Sequence, residues 1–469
     1  MPVVPPALTG DRIALDAVEA PVVQRSDVVV VGGGPAGVSA AVAAARTGAS
    51  VTLLERYAAL GGLASGGMVL VLDDMINGSE ITVTGVVDEY VERMAKLGLA
   101  VYPPVEDRYS SPETWAKWGR WGSFDFHQHT NPKPICYAVA FDPDGWKRVS
   151  NDLVRESGVN LRLHSWFSRP VVQDGVLKGV VCETKQGPQA VMGDVVIDTT
   201  GDIDVAARAG AAHTSAGYLT TLVFRLGGID TDAAERYEQE HPREVRALNR
   251  KIKRMLGGAW ELWWLKTPIP GVVWCNCPHM TGFDGTDPAS LTEAEFEARD
   301  RIATALDTIR QELPGFEKAY LLDVAEQMGV RQTRLLEGEY VMTKDDVTTR
   351  QHFTDSVARG RDYYYPYRSL LPRGIDQLIV AGRHYSATPE AQRMSREIPP
   401  CMAMGQAAGI AAATAVEQGV LVREVNPAVI QRRMRDQGAD PGDVPAENAT
   451  AATDTTTAQP SQPSREALV

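Results

Sequence analysis

The sequence predicts an α/β fold built around a Rossmann-like domain. Three observations predict it: a valine-rich run over 27–31, an alanine-rich segment over 35–46, and a glycine-rich turn between them. The valine run is typical of a strand buried on both faces, and the alanine segment is typical of a helix. A second apolar run over 50–54 ends at Glu55, so the unit reads strand, turn, helix, strand.

The glycine-rich turn has the spacing G-x-G-x-x-G, which predicts a dinucleotide site. Gly32 permits a tight turn, Gly34 lets the backbone approach a pyrophosphate, and Gly37 lets the helix pack closely on the strand. Glu55 follows where a carboxylate can accept hydrogen bonds from ribose hydroxyls. The motif alone does not separate NAD from FAD. The predicted contacts are Gly32, Gly34, Pro35, Ala36, Gly37 and Glu55.

Further elements follow this first unit along the chain. Apolar runs over 159–164, 176–182 and 195–198 predict a strand meander. Charged segments over 231–256 and 291–311 show the pattern of solvated helices.

Length and composition limit the function classes. A chain of 469 residues predicts two or more domains. The net charge of −13 argues against nucleic acid or an anionic membrane as a partner. Five cysteines argue against a disulfide framework. The sequence shows neither a signal-peptide pattern nor an apolar run of ~20 residues, so we expect a cytoplasmic protein without a membrane partner.

Motifs beyond the first unit resemble those of one protein family. They are Arg56 with the double glycine Gly61-Gly62, IDTTGD at 197–202, LEGEYVMT at 336–343, the apolar strand at 378–382 and PCMAMGQAAG at 400–409. From about residue 27 to 438 the chain resembles FAD-dependent oxidoreductases of the glutathione reductase structural class. The resemblance implies FAD as the cofactor, and a Rossmann-like FAD-binding domain with a discontinuous α+β substrate domain.

The same resemblance implies further contacts with FAD. They are Arg56, Gly62, Leu63, Ala64, Phe167, Gly201, Asp202, Gly382, Arg383, Met404, Gly405 and Ala407. Arg383 stands where many members have an acid that holds the ribityl chain. No cysteine pair follows the double glycine and no second glycine motif follows a strand, so the electron donor or acceptor is left open. A homo-oligomer is left open as well.

The resemblance also implies a division into domains. The expected FAD-binding domain comprises 26–65, 136–205 and 346–438, and the expected substrate domain comprises 66–135 and 206–345. The remaining residues, 439–469, are rich in Pro, Ala, Thr and Ser, and we expect a disordered tail there.

Aromatic residues and cysteines cluster in the expected substrate domain. One aromatic group is Trp115, Trp118, Trp121, Phe124 and Phe126, and the other is Trp260, Trp263, Trp264 and Trp274. Core packing is the favoured interpretation, and a pocket for a flat or apolar substrate is the alternative. The groups His127/His129 and Cys275/Cys277/His279 lack the usual spacing of a zinc site, so we expect no metal.

Four residues are candidates for catalysis. His384 follows the strand end at Gly382 and can titrate near neutral pH. Arg331 and the nearby Arg334, together with Arg396 just before the motif at 400–409, are candidate anchors for a substrate carboxylate or carbonyl. Tyr364, within a run of three tyrosines, offers a hydroxyl donor. Each has a structural alternative: a loop-capping histidine, ion-paired arginines and packed tyrosines.

The sequence therefore predicts an enzyme: a FAD-dependent oxidoreductase that transfers a hydride between flavin N5 and a small organic substrate, aromatic or apolar in part. One alternative is a fumarate-reductase-like reductase of an activated C=C bond. Another is a non-catalytic flavin-binding module, whose pocket would be plugged and whose arginines would be paired among themselves. An NAD enzyme is disfavoured by the downstream motifs.

Overall fold

A computed structural model describes residues 7–9, 12–14, 19–78, 80–123, 137–258 and 263–443. The strands are β1 Ala7–Thr9, β2 Arg12–Ala14, β3 Val22–Val31, β4 Val51–Leu54, β5 Val71–Leu72, β6 Ile76–Asn77, β7 Glu80–Ile81, β8 Ala100–Val101, β9 Val139–Phe141, β10 Asn160–Arg162, β11 Trp166–Gln173, β12 Val176–Thr184, β13 Gly187–Asp198, β14 His213–Ser215, β15 Thr220–Thr221, β16 Phe224–Gly227, β17 Trp264–Lys266, β18 Val273–Cys275, β19 His279–Met280, β20 Tyr320–Val324, β21 Gly329–Val330, β22 Arg334–Leu336, β23 Ser356–Arg359, β24 Tyr364–Pro366 and β25 Leu378–Val380. The α-helices are α1 Pro35–Arg46, α2 Gly62–Ser65, α3 Val86–Lys96, α4 Pro112–Trp118, α5 Pro143–Glu156, α6 Asp204–Arg208, α7 Thr231–Glu240, α8 Pro242–Leu256, α9 Pro288–Glu312, α10 Lys344–Thr348, α11 Pro389–Met394, α12 Ile398–Gln418 and α13 Pro427–Asp436.

A parallel sheet forms the centre of the molecule, with strands in the order β10, β4, β3, β13, β25. Alternate side chains of each strand point to opposite faces of the sheet, and both faces are buried. Val28 and Val30 face the core that contains α1 and α12, whereas Val29 and Val31 face the core on the other side. The predicted α/β class with a Rossmann-like unit is confirmed.

The predicted meander differs in its first strand. β10, at 160–162, lies parallel to β4 at the edge of the central sheet. The antiparallel meander consists instead of β11, β12 and the first half of β13. His164, at φ 55°, lies in the turn that separates β10 from β11. A left-handed residue there lets the chain turn away from the parallel strands, and the sequence pattern did not indicate that break.

Helices α1 and α12 pack side by side at very short range on one face of the sheet. A Cβ at Gly405 would overlap the carbonyl oxygen of Ala36, and a Cβ at Gly409 would overlap that of Ala40. The two glycines are four residues apart and so lie on one face of α12. Their missing side chains allow this backbone contact.

A second set of sheets lies beyond the central one, and it includes β16, β17, β18 and β20 as an antiparallel sheet. Its core is completed by α8 and α9, the helices predicted in the charged segments. Trp263 and Trp264 pack on Phe316 in this core, as the packing interpretation predicts. Phe124, Phe126, His127, His129, Cys136 and Trp260 lie outside the described residues.

The beginning of the expected tail contacts the body of the protein. Ala439 is buried, Asp440 forms an ion pair of 2.7 Å with Arg359, and the Pro441 carbonyl accepts a hydrogen bond of 2.8 Å from Ser356. The boundary at 439 is therefore wrong for residues 439–443, where short-range polar contacts replace the apolar burial that the sequence lacks. Residues 444–469 lie outside the described residues. Within the described parts of the chain, no helix has the length and apolarity needed to cross a membrane.

Candidate functional site

One large cavity, of about 820 Å³, opens at the carboxyl ends of the central parallel strands. This is the edge at which open α/β sheets bind their ligands. Its wall continues from the strand ends to the second set of sheets. Sixteen predicted site residues line it: Gly32, Gly34, Pro35, Ala36, Glu55, Arg56, Gly62, Leu63, Phe167, Gly201, Asp202, Arg331, Gly382, Arg383, His384 and Arg396.

The glycines of the first turn are required for different reasons. Gly32 has φ +105°, where other residues are strained, and a Cβ at Gly37 would overlap the carbonyl oxygen of Gly32. Gly34 has neither constraint: its φ is −72°, and the nearest protein atom to an added Cβ would be 4.0 Å away, at Gly62. Gly34 therefore leaves space in the cavity that the protein itself does not use.

Glu55 is held in place at the end of β4 by backbone donors. Its carboxylate accepts hydrogen bonds from the N–H groups of Gly33, at 2.7 Å, and Tyr57, at 2.8 Å. The side chain is buried yet lines the cavity. Each carboxylate oxygen has further lone pairs, so Glu55 can accept bonds from hydroxyl groups placed there.

Arg383 forms an ion pair with Asp202 across the ends of β25 and β13, at 2.9 Å. Asp202 also accepts a hydrogen bond of 2.6 Å from Thr333. Burial alone would raise the pKa of Asp202, but the charge of Arg383 and the Thr333 bond outweigh it and hold that pKa below its usual value. Arg383 thus stands in the wall as one half of a charge pair.

An aromatic group that the sequence reading did not single out lies in the wall beside Phe167. Trp166, half-exposed, and Tyr57 meet edge to face, and the Arg56 guanidinium lies about 5 Å from both rings. Such a group can stack on a planar ring. Only the neighbouring Phe167 and Arg56 gave a signal in the sequence.

Five predicted cofactor contacts and one predicted catalytic residue do not line the cavity. Met404, Gly405 and Ala407 are buried deeper in α12, where Gly405 packs on the backbone of α1, and the helix lines the cavity instead through Ile398 and Cys401 in its first turn. Gly37 and Ala64 are buried behind the wall. Tyr364 packs on His352, with ring centroids 4.1 Å apart, away from the cavity. These six residues do not line the cavity, and their predicted contacts with cofactor or substrate stay predictions.

The far wall of the cavity carries Arg331 among neutral partners. Its guanidinium donates to Thr221 at 3.3 Å, to Asn276 at 3.3 Å and to Nε2 of His279 at 2.9 Å. Burial, then the positive charge of Arg396, lowers the pKa of Arg331 to about 10. Trp274 lines the same wall and donates to the Met68 carbonyl at 2.6 Å.

His384 lies in the cavity wall, almost fully buried. Its Nε2 is 3.2 Å from the Asp198 carbonyl oxygen and 3.7 Å from the Asp198 carboxylate. Nδ1 has no hydrogen-bond partner among the described residues. These contacts connect the ends of β13 and β25, and the predicted catalytic role of His384 stays a prediction.

The residues present fit FAD as the cofactor. Gly34 leaves an unused space at the start of α1, where free N–H groups favour a pyrophosphate, and Glu55 presents acceptors for ribose hydroxyls. Within the part of the chain that the structure describes, no group of three or more His, Cys, Asp or Glu side chains could hold a metal. Cys275 and Cys277 are buried thiols, and burial raises the pKa of each.

Comparison with solved structures finds distant likenesses. A geranylgeranyl bacteriochlorophyll reductase-like protein from Thermoplasma acidophilum matches at 15% identity and a TM-score of 0.45, covering 88% of this chain and 83% of that one. The p-nitrophenol 4-monooxygenase PnpA from Pseudomonas putida matches at 13% identity and a TM-score of 0.47, covering 88% and 85%. A comparison with curated proteins found no match.

The family comparison covers most of the chain. The model described as "FAD dependent oxidoreductase" matches residues 27–365 and 359–434. These ranges include the glycine turn, Glu55 and the far wall with Arg331. The chain therefore belongs to the FAD dependent oxidoreductase family, and it is a flavoprotein enzyme whose cofactor is FAD.

Proposed function

We propose that this enzyme transfers a hydride between FAD and a small organic substrate bound at the far wall of the cavity. When bound, FAD supplies a two-electron centre that exchanges a hydride at N5. The start of α1 at Gly34 would hold the pyrophosphate, and Glu55 would hold the ribose of the adenosine. The far wall, with Trp274 and Arg331, would then bind the substrate.

The continuity of the cavity is the observation that carries this proposal. The same cavity that contains Gly34 and Glu55 extends to Thr221, Asn276 and Trp274 on the second set of sheets. A non-catalytic module would have this space plugged by side chains. The open space instead supports a substrate site next to the cofactor.

The chemical character of the far wall supports an organic substrate with an apolar part. Leu63, Val69, Val71, Val223 and Met328 line it together with Trp274. Apolar side chains exclude water from the reacting carbon, and this protects a hydride from loss to solvent. Thr221 and Asn276 accept hydrogen bonds from Arg331 in this wall, which holds that guanidinium in a position to orient a bound molecule.

The test is anaerobic reduction of the FAD-loaded protein by a panel of alcohols, amines and hydroxy acids. We expect at least one class to bleach the flavin absorbance. The reverse assay, oxidation of dithionite-reduced protein by activated alkenes, tests the C=C reductase alternative in the same cuvette. Val69→Phe fills the far wall and should slow reduction by the substrate while leaving dithionite reduction unchanged. If no compound reduces or reoxidises the flavin, in either the parent protein or the Val69→Phe variant, the result would favour the non-catalytic module.

A further inference from the structure

Two positively charged side chains, Arg331 and Arg396, line the far wall of the cavity, and nearby carboxylates neutralise their charge only in part. Within the described residues, no carboxylate oxygen lies within 4.0 Å of the Arg331 guanidinium, whose partners are Thr221, Asn276 and His279. Arg396 has a single distant ion pair, at 3.8 Å to Glu397, and its buried Nε has no hydrogen-bond partner in the described parts of the chain. Neither guanidinium therefore has a carboxylate of the described residues at hydrogen-bonding distance.

Arg225 is an enclosed arginine with a structural role, and carboxylates of the protein itself neutralise its charge. It forms ion pairs with Asp142 at 2.9 Å and with Asp323 at 2.5 Å. Both carboxylates belong to the protein, so the guanidinium is neutralised without any ligand. Arg331 is enclosed to the point that burial lowers its pKa, yet it has no such partner.

Arg331 cannot relieve its charge by losing a proton at neutral pH. A pKa of about 10 still leaves it charged at pH 7. His279 cannot balance that charge, because burial and then the charges of Arg331 and Lys253 lower its pKa well below the usual value and keep it neutral. An enclosed charge without a counterion in direct contact is unfavourable in free energy, so a ligand that brings an anion gains affinity here.

We propose that the substrate carries a carboxylate and that Arg331 and Arg396 bind it. This inference rests on the proposed function of the far wall as the substrate site. Nη1 of Arg331 makes no hydrogen bond to a described residue, so its N–H groups remain for one carboxylate oxygen, and Arg396 can donate to the other.

A monocarboxylate fits the wall better than a phosphate. Glu397 and Asp73 are close enough to raise the pKa of Arg331, so they offset part of the two arginine charges. The positive charge left for a ligand is then small, which favours a singly charged anion. Trp274, Val69 and Val223 next to the arginines suit a carboxylate attached to an apolar body.

The experiment titrates FAD-loaded protein at constant ionic strength with benzoate, with its neutral isostere benzamide, and with inorganic phosphate. Perturbation of the flavin absorption spectrum and calorimetry report the Kd values. We expect benzoate to bind at least tenfold more tightly than benzamide or phosphate. Arg331→Met and Arg396→Met should each weaken benzoate about tenfold to a hundredfold, and Arg331→Lys should weaken it less. Arg368→Met, which removes a charge outside the cavity, is the matched control.

The outcomes separate this inference from the proposed function. Equal binding of benzoate and benzamide, or unchanged benzoate binding in Arg331→Met, overturns the carboxylate site, and flavin reduction by a neutral substrate would still uphold hydride transfer. Loss of FAD from Arg331→Met at parental melting temperature also overturns it, since the arginine would then serve the cofactor. Selective benzoate binding that depends on Arg331, in a protein that no compound reduces, upholds the carboxylate site and refutes hydride transfer.

Discussion

Arg331 donates a hydrogen bond of 2.9 Å to Nε2 of His279, and this contact makes the buried histidine a neutral acceptor. Arginine has no acceptor atom, so Nε2 of the imidazole must accept the hydrogen bond and carry no proton of its own. Protonating His279 would remove this bond and add a third positive charge beside Arg331 and Arg396.

This neutral histidine predicts a loss of stability in acid. Because the pKa of His279 is lowered in the folded state, the unfolded chain binds a proton below about pH 6.5 that the folded protein does not. Its stabilising contribution is present above that pH and is lost as the pH falls. The free energy of unfolding should therefore decrease by up to ~1.4 kcal/mol per pH unit from this group. Urea denaturation between pH 7 and 5 measures it.

The matched variant for that measurement is His279→Gln, whose amide oxygen can still accept from Arg331. We expect a shallower pH dependence than in the parent protein. His213→Gln, at an exposed position, controls for the loss of a histidine. Parallel pH curves for the parent and His279→Gln would show that His279 does not contribute.

Gly34 and Gly37 should respond differently to the same substitution. Gly34→Ala places a methyl group in the unused space of the cavity, so we expect FAD affinity to fall at least tenfold with little change in the melting temperature of the apoprotein. Gly37→Ala meets the Gly32 carbonyl and should lower the melting temperature itself. Flavin content and differential scanning fluorimetry separate the two. Full FAD occupancy in Gly34→Ala would contradict the assignment of the pyrophosphate position.

The segment 439–443 should matter for stability. Truncation after Gly438 removes the Asp440–Arg359 ion pair and the Pro441 acceptor of Ser356, and so leaves the mostly buried Arg359 guanidinium without its carboxylate. We expect a cost of ~1–3 kcal/mol in the free energy of unfolding. Truncation after Asp443 keeps these contacts and should retain the parental melting temperature. Equal melting temperatures for the two truncations would refute the role of the segment.

His384 should act through position more than through proton transfer. Because its Nε2 is engaged with the Asp198 carbonyl, His384→Asn can replace that donor, and we expect flavin reduction by the first active substrate at nearly the parental rate. His384→Ala should lower FAD affinity by releasing the strand ends. A ~10²–10⁴-fold loss of rate in both variants, with FAD retained, would instead support the acid–base role.

The first strand-turn-helix-strand unit was predictable because its signals are local. Helix α1 begins at Pro35 and ends at Arg46, as the alanine segment predicts. The sequence also offers Arg331 and Arg396 as candidate anchors, and both line the cavity. The lack of a carboxylate partner for Arg331 among the described residues was not predictable, because ion pairing depends on residues distant in sequence such as Asp142 and Asp323, which the fold brings to Arg225 instead.

Two other differences between prediction and structure also arise from contacts between residues that are distant in sequence. Met404, Gly405 and Ala407 belong to a motif, yet only the packing of α12 on α1 decides which side of the helix meets the cavity. The hydroxyl of Tyr364 makes it a candidate for catalysis, whereas its position beside His352 depends on how β23 and β24 pair. A sequence pattern gives the type and spacing of residues. Whether these side chains reach the cavity depends on their orientation in the fold.

The contact between α1 and α12 also has a consequence for biosynthesis. Gly405 and Gly409 approach the backbone of α1 across most of the sequence, so α12 must be synthesised before this part of the core can close. Contacts of such long sequence separation form slowly, because loop closure precedes any gain from packing. An emerging chain would therefore present the glycine turn without its support, and stable capture of FAD should wait until α12 has been synthesised and has packed on α1.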